Sequence, residues 1–167
     1  MSDAETSSDT VSLILVEDDP LDVTAMKRAL RKQRIANPLF VAGDGLEALE
    51  ALRGQRQLPC FRPSEHAIAQ DVDTESIASP YLILLDLNMP RMSGIEFLRE
   101  LRNDASIRNS IVFVLTTSDS DRDVISAYDN FVAGYLLKDR VGNDFINLLS
   151  LLDYFWRLVE FPRPQRG

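Results

Sequence analysis

A chain of 167 residues that is 45% hydrophobic can bury one well-packed core and is short for two, so a single domain is expected. Its net charge of -8, from 18 basic and 26 acidic residues, argues against a nucleic-acid-binding surface. No apolar run approaches the ~18 residues of a membrane span and no secretory leader opens the chain, while one cysteine (Cys60) and one histidine (His66) exclude an internal disulfide or a Cys/His zinc cluster; a cytoplasmic location is expected.

Residues 1–11, rich in Ser, Thr and Asp and lacking periodicity, predict a flexible leader, with the domain over 12–161 and a short tail over 162–167. The run SLILV (12–16) predicts a strand that ends in EDDP, with Asp19 as the cap of a helix and Pro20 in its first turn. That helix continues over Leu21 to Arg34 and stops before Asn37-Pro38. PLFVA (38–42) predicts a second strand, Gly43-Asp44-Gly45 a turn, and LEALEALR (46–53) a second helix. Residues 54–80, broken by Pro59, Pro63 and Pro80, predict a long loop or insertion, in which Cys60 and His66 lack the context of a reactive pair. Beyond it come strand YLILLD (81–86), helix 93–104, strand IVFVL (111–115), helix 121–130, strand AGYLLK (133–138) and a last helix over 143–161.

Near-continuous apolar strands alternating with amphipathic helices predict an α/β fold: a doubly wound, five-stranded parallel sheet with helices on both faces. Ligands of such folds bind outside the carboxyl ends of the strands. The residues found there are Glu17, Asp18 and Asp19 after the first strand, Asp86 and Asn88 at the third, Thr116 and Thr117 after the fourth, and Lys138 after the fifth. Clustered carboxylates repel unless a hard divalent cation such as Mg²⁺ holds them ionised. One of them could then attack a phosphoryl group while Lys138 and the Thr116 hydroxyl neutralise the transferred oxygens.

The acidic pair Glu17-Asp18, the DLNMPRMSG segment around Asp86, Thr116, and YLLK ending at Lys138 stand in the register of a known family. The sequence resembles a response-regulator receiver domain of two-component signalling, a flavodoxin-like fold, over residues 12 to about 158. The resemblance implies that Asp86 accepts a phosphoryl group from a histidine-kinase phosphohistidine. It also implies that Asp18 and Asp86 bind Mg²⁺ directly, with Glu17 assisting and the Asn88 backbone carbonyl completing the site. Thr116 would be the switch hydroxyl and Tyr135 the aromatic that moves with it. Two departures stand out. The proline that follows the family's lysine is Asp139 here, so the Lys138–Asp139 bond is either a strained cis peptide, costing about 3 kcal/mol, or rebuilt as trans. Thr117 is also bulkier than the small residue usual after the switch threonine, which predicts slower loss of the phosphoryl group.

No effector domain is expected after the receiver, so the signal should leave through contacts with a downstream protein. The last helix spreads apolar residues over more than half its circumference, wider than one core face needs, and predicts a homodimer formed through this helix and its neighbours. VEDDP at the start and DYFW in the last helix resemble the small response regulators that partner phytochrome-type histidine kinases. A phosphorelay intermediate or an output receiver for another kinase is the alternative. A receiver that works without phosphorylation, or a phosphohydrolase with an aspartyl-phosphate intermediate, fits less well, since the hydrolase would need a second carboxylate where Asn88 stands.

Overall fold

The protein is described by a computed structural model over residues 10–63, 73–117, 120–141 and 145–162. Most of the expected leader and tail, and His66, lie outside the described residues. Val11, which the sequence assigned to the leader, is buried in the core.

Five strands form the parallel heart of the sheet: β1 (Ser12–Val16), β2 (Leu39–Ala42), β5 (Tyr81–Leu85), β6 (Ile111–Thr116) and β7 (Gly134–Leu137). Between β2 and β5 the chain adds β3 (Leu58–Phe61) and β4 (Thr74–Glu75), giving a seven-stranded sheet in the order β4-β3-β2-β1-β5-β6-β7. The expectation of five strands is therefore corrected at one edge, and part of the segment expected to be a loop is strand. Each half of β3 has its own neighbour: Phe61 and Cys60 pair with Leu39 and Phe40 of β2, while Leu58 and Pro59 pair with Glu75 and Thr74 of β4. Both pairings are antiparallel. Pro59 argued against a strand in sequence, but two-residue edge ladders tolerate a residue that cannot donate.

Alternation along β1 sends Ile14 and Val16 to one face and Leu13 and Leu15 to the other. The first face packs against α2 (Gly45–Leu52), α3 (Gly94–Asn103) and α4 (Asp121–Asp129) through residues such as Leu49, Phe97 and Ala127. The second meets α1 (Pro20–Lys32) and α6 (Ile146–Leu158) through Met26, Leu30, Leu148 and Leu152. With both faces covered, every residue of β1 is buried, which is why these strands read as unbroken apolar runs.

Local chemistry starts the helices. Asp19 accepts from the Leu21 N–H at 2.9 Å and Pro20 follows it at the first helical position. Asp44 caps α2 and Ser93 caps α3, the latter in a reciprocal capping box with Glu96. The chain turns directly from β7 into a one-turn helix, α5 (Lys138–Val141), so the expected strand ends one residue early; the Lys138–Asp139 bond is trans. The last helix begins at Ile146 rather than 143. Among the described residues no helix is long and apolar enough to cross a membrane.

Candidate functional site

Beside β1, β2 lies on one side and β5 on the other, so the winding of the sheet reverses there and leaves a crevice at the carboxyl ends of β1 and β5. The backbone sets the acids into that crevice. The Glu17 N–H continues the ladder to the Ala42 carbonyl at 3.0 Å, and the Asp86 N–H does the same to Val16 at 3.1 Å. Both side chains are consequently buried, at 3% and 7% exposure, while Asp18 projects into solvent. One oxygen from each of Glu17, Asp18 and Asp86 lies within 4.8 Å of the others. These acids, Asn88, Thr117 and Lys138 all line an open groove of about 670 Å³.

Lys138 enters the groove from the start of α5. Its Nζ donates to Glu17 Oε2 at 2.8 Å and to Asp22 Oδ2 at 2.6 Å, and stands 3.7 Å from Asp86 Oδ2. Burial by itself would push the ammonium down, but the hydrogen bonds to Asp22 and Glu17 and the charges of Glu17 and Asp86 outweigh it and hold Lys138 above its ordinary value. Glu17 moves the other way from a typical carboxyl. Burial, followed by the nearby Asp86 charge, pushes it up to about 7 against the opposing hydrogen bond from Lys138.

The structure brings Glu17, Asp18, Asp86, Asn88 and Lys138, all singled out from the sequence, to one groove. The Asn88 N–H also leans toward Asp86 Oδ1 at 3.3 Å. Thr116 ends β6 at the same rim but is wholly buried, and its neighbour Thr117 is the member of the pair that lines the groove. Tyr135 is half-buried on β7, opposite Val114 of β6 and packed against the core face of α2, α3 and α4.

Three contributors went unremarked in the sequence. Asp22 supplies the shortest contact to Lys138. Gly94 lies where a Cβ would meet the Leu87 Cα at 2.6 Å and the Asp86 carbonyl at 2.7 Å, so only glycine lets α3 begin this close to the Asp86 backbone. Arg91, in a left-handed conformation, bonds to the buried Asp44 carboxylate and ties the loop after Asp86 to the cap of α2. Gly43-Asp44-Gly45 is therefore more than a turn. An acid three residues into a helix, at Asp22, was the one local signal available.

The chain matches the response regulator receiver domain family over residues 63–150, a stretch that includes Asp86, Thr116, Tyr135 and Lys138 and begins after the acidic pair of β1. Response regulator Rcp1 of Synechocystis sp. is 32% identical over 144 residues, 86% of this chain and 87% of that protein. The crystal structure of the Mn²⁺-bound form of Rcp1 superposes with a TM-score of 0.69 at 31% identity, covering 92% of this chain and 99% of that one. Phosphorylated RcpA, a cyanobacterial phytochrome response regulator, gives a TM-score of 0.69 at 28% identity with the same coverage. RPA3017, a response regulator in red light signalling of R. palustris, gives 0.70 at 27%, also over 92% of this chain and 99% of that one. Family match, relatives and fold agree: the chain belongs to the response regulator receiver family, whose members accept a phosphoryl group in two-component signalling.

Proposed function

We propose that Asp86 is the phosphoacceptor of this receiver, taking a phosphoryl group from the phosphohistidine of a histidine kinase, and that the phosphorylated domain signals by contact with a downstream protein. The observation that carries this reading is the meeting of Glu17, Asp18, Asp86 and Lys138 in one groove at the reversal point of the sheet. An Asp86 oxygen attacks phosphorus as the P–N bond to the imidazole breaks and the bonding pair leaves with the ring nitrogen. Lys138 and the Thr116 hydroxyl offset the charge on the transferred oxygens. The protein is in this sense a phosphoacceptor that assists its own phosphorylation and dephosphorylation, with Tyr135 relaying the state of Thr116 to the outer face.

Glu17, Asp18 and Asp86, with the Asn88 carbonyl, are the residues that would hold Mg²⁺. The donor set fits, since it is all oxygen, and Glu17, raised by burial and then by the nearby Asp86 charge, sits in a cluster whose repulsion a cation would relieve. When bound, the cation supplies electrostatic stabilisation of the phosphoryl oxygens. A phytochrome-type kinase is the proposed donor, on the likeness to RcpA, RPA3017 and Rcp1, and a cytoplasmic location goes with it.

The proposed homodimer rests on exposed apolar residues of the last helix. Phe155 stacks edge-on against Phe113 at 5.0 Å and Trp156 packs on the same core, so the surplus apolar surface is narrower than the sequence indicated. Leu151, Tyr154 and Leu158 remain exposed, close to half or more of each side chain. Light scattering with and without phosphorylation tests it, and a monomer in both states would refute it. The phosphoacceptor assignment is tested by intact mass after incubation with acetyl phosphate. An added phosphoryl group that needs Mg²⁺ and disappears in Asp86→Asn is expected; an adduct that survives that substitution would move the acceptor elsewhere.

A further inference from the structure

Of the three carboxylates within reach of Lys138 Nζ, Glu17 and Asp86 belong to the proposed cation cluster and Asp22 does not. Asp22 is also released from the task usual for an acid at its position. In α3 the third helical residue, Glu96, accepts from the backbone N–H of the cap residue Ser93 at 3.0 Å, and in α2 Glu47 accepts from the Gly43 N–H, just before the cap, at 2.9 Å. In α1 the corresponding N–H, that of Asp19, is already taken by Glu17 Oε1 at 3.1 Å. The Asp22 carboxylate instead turns to Lys138, its side chain's sole hydrogen-bond partner among the described residues. A helical turn begins at Lys138 itself, where Asp139 follows in place of the family's proline.

We propose that Asp22 is a positioning residue for phosphoryl transfer: it anchors the Lys138 ammonium at a stand-off from Asp86, so that the attacking carboxylate is left in a longer ion pair with the lysine rather than in a direct hydrogen bond. The distances carry the argument. At 3.7 Å the lysine is outside hydrogen-bond reach of Asp86 Oδ2, yet near enough for a phosphoryl oxygen arriving there to meet it. An ammonium bonded directly to that oxygen would hold the lone pair that must attack phosphorus. Asp22 remains available to the lysine when Glu17 and Asp86 are engaged by a cation.

The proposal rests on Asp86 as phosphoacceptor and makes an opposite prediction from simple charge removal. Neutralising an acid beside the groove eases the approach of an anionic donor, so charge alone would speed phosphorylation. Asp19→Asn measures that effect, since asparagine still caps α1 and the hydrogen bonds and ion pairs of Lys138 among the described residues go to Glu17, Asp22 and Asp86 rather than to Asp19. With acetyl phosphate and Mg²⁺, Asp22→Asn is expected to react about fivefold more slowly than wild type at saturating donor, while Asp19→Asn is as fast or faster. The ¹⁵N resonance of the Lys138 ammonium in cation-free protein gives a readout independent of turnover. It should shift little on Asp86→Asn in the wild-type background and clearly when Asp22→Asn is already present. Equal rates for Asp22→Asn and Asp19→Asn, or a resonance that follows Asp86 and ignores Asp22, would overturn the anchor while leaving Asp86 as acceptor. Wild type that takes no phosphoryl group on Asp86 would overturn both.

Discussion

At the amino ends of the strands, Arg102 reaches from α3 into a half-buried position and donates to four backbone carbonyls: Asn130 at 2.7 Å, Arg108 at 2.6 Å, Ser110 at 2.7 Å and Phe131 at 3.0 Å. At the carboxyl ends, Glu17 and Asp86 are buried side by side, and Lys138 serves both of them and Asp22 as well. Both ends bury charge, with different results. Neutral carbonyls satisfy Arg102 without opposing one another, so the guanidinium staples the loops before β6 and β7 into one arrangement. The carboxylates oppose one another, and the tension among them is relieved by a proton, a lysine or an added cation. A saturated polar network gives structure, and an unsaturated one leaves room for chemistry.

The largest expected effect is at the saturated end. Arg102→Met keeps the aliphatic stem but leaves those carbonyls without their donor, and should lower the free energy of unfolding by about 2–4 kcal/mol in denaturant titrations. The phosphorylation rate of the folded fraction should not change. A parallel loss of rate would show that the two ends are coupled and that the contrast is too sharp.

Next in size is the pH response of the carboxyl end. Glu17 titrates at about 7 in the folded protein and near 4.5 when unfolded, so the folded form binds this proton more tightly. Its contribution to stability is therefore full below about 4.5 and is lost as pH rises toward about 7. In chelator, urea midpoints should fall across this window in wild type and fall less in Glu17→Gln. Lys138 does not mask the trend, because its raised value acts only above its ordinary 10.5. Identical pH profiles for the two proteins would mean that the buried acids are not in tension.

The smallest effect concerns water rather than charge. Thr117 lines the groove and is exposed, so its side chain stands where water could approach a phosphoryl group on Asp86. Thr117→Gly should lose that group a few-fold faster than wild type, measured by the decay of the phosphorylated mass. Equal or slower decay in the glycine variant would assign the barrier to another residue.

Much of this was legible in local pattern. SLILV, YLILL and IVFVL are strands because only a strand covered on both faces accommodates such runs, and the residue that ends each run is carried to the same rim by the fold. Glu17, Asp86, Thr116 and Lys138 were found in this way, as was the cap at Asp19. β3 was missed because a four-residue strand containing Pro59 has little preference of its own and exists through pairing with β2 and β4.

The sequence by itself determined the five parallel strands, the longer helices between them and the rim positions of Glu17, Asp18 and Asp86, because hydrophobic period and capping act over a few residues. Only the tertiary structure decided the two added edge strands, the trans turn at Lys138, the bond from Arg91 to Asp44 and the capture of Lys138 by Asp22. Those partners lie 47 and 116 positions apart in the chain, and no local preference selects between one acid and another until the sheet has set them side by side.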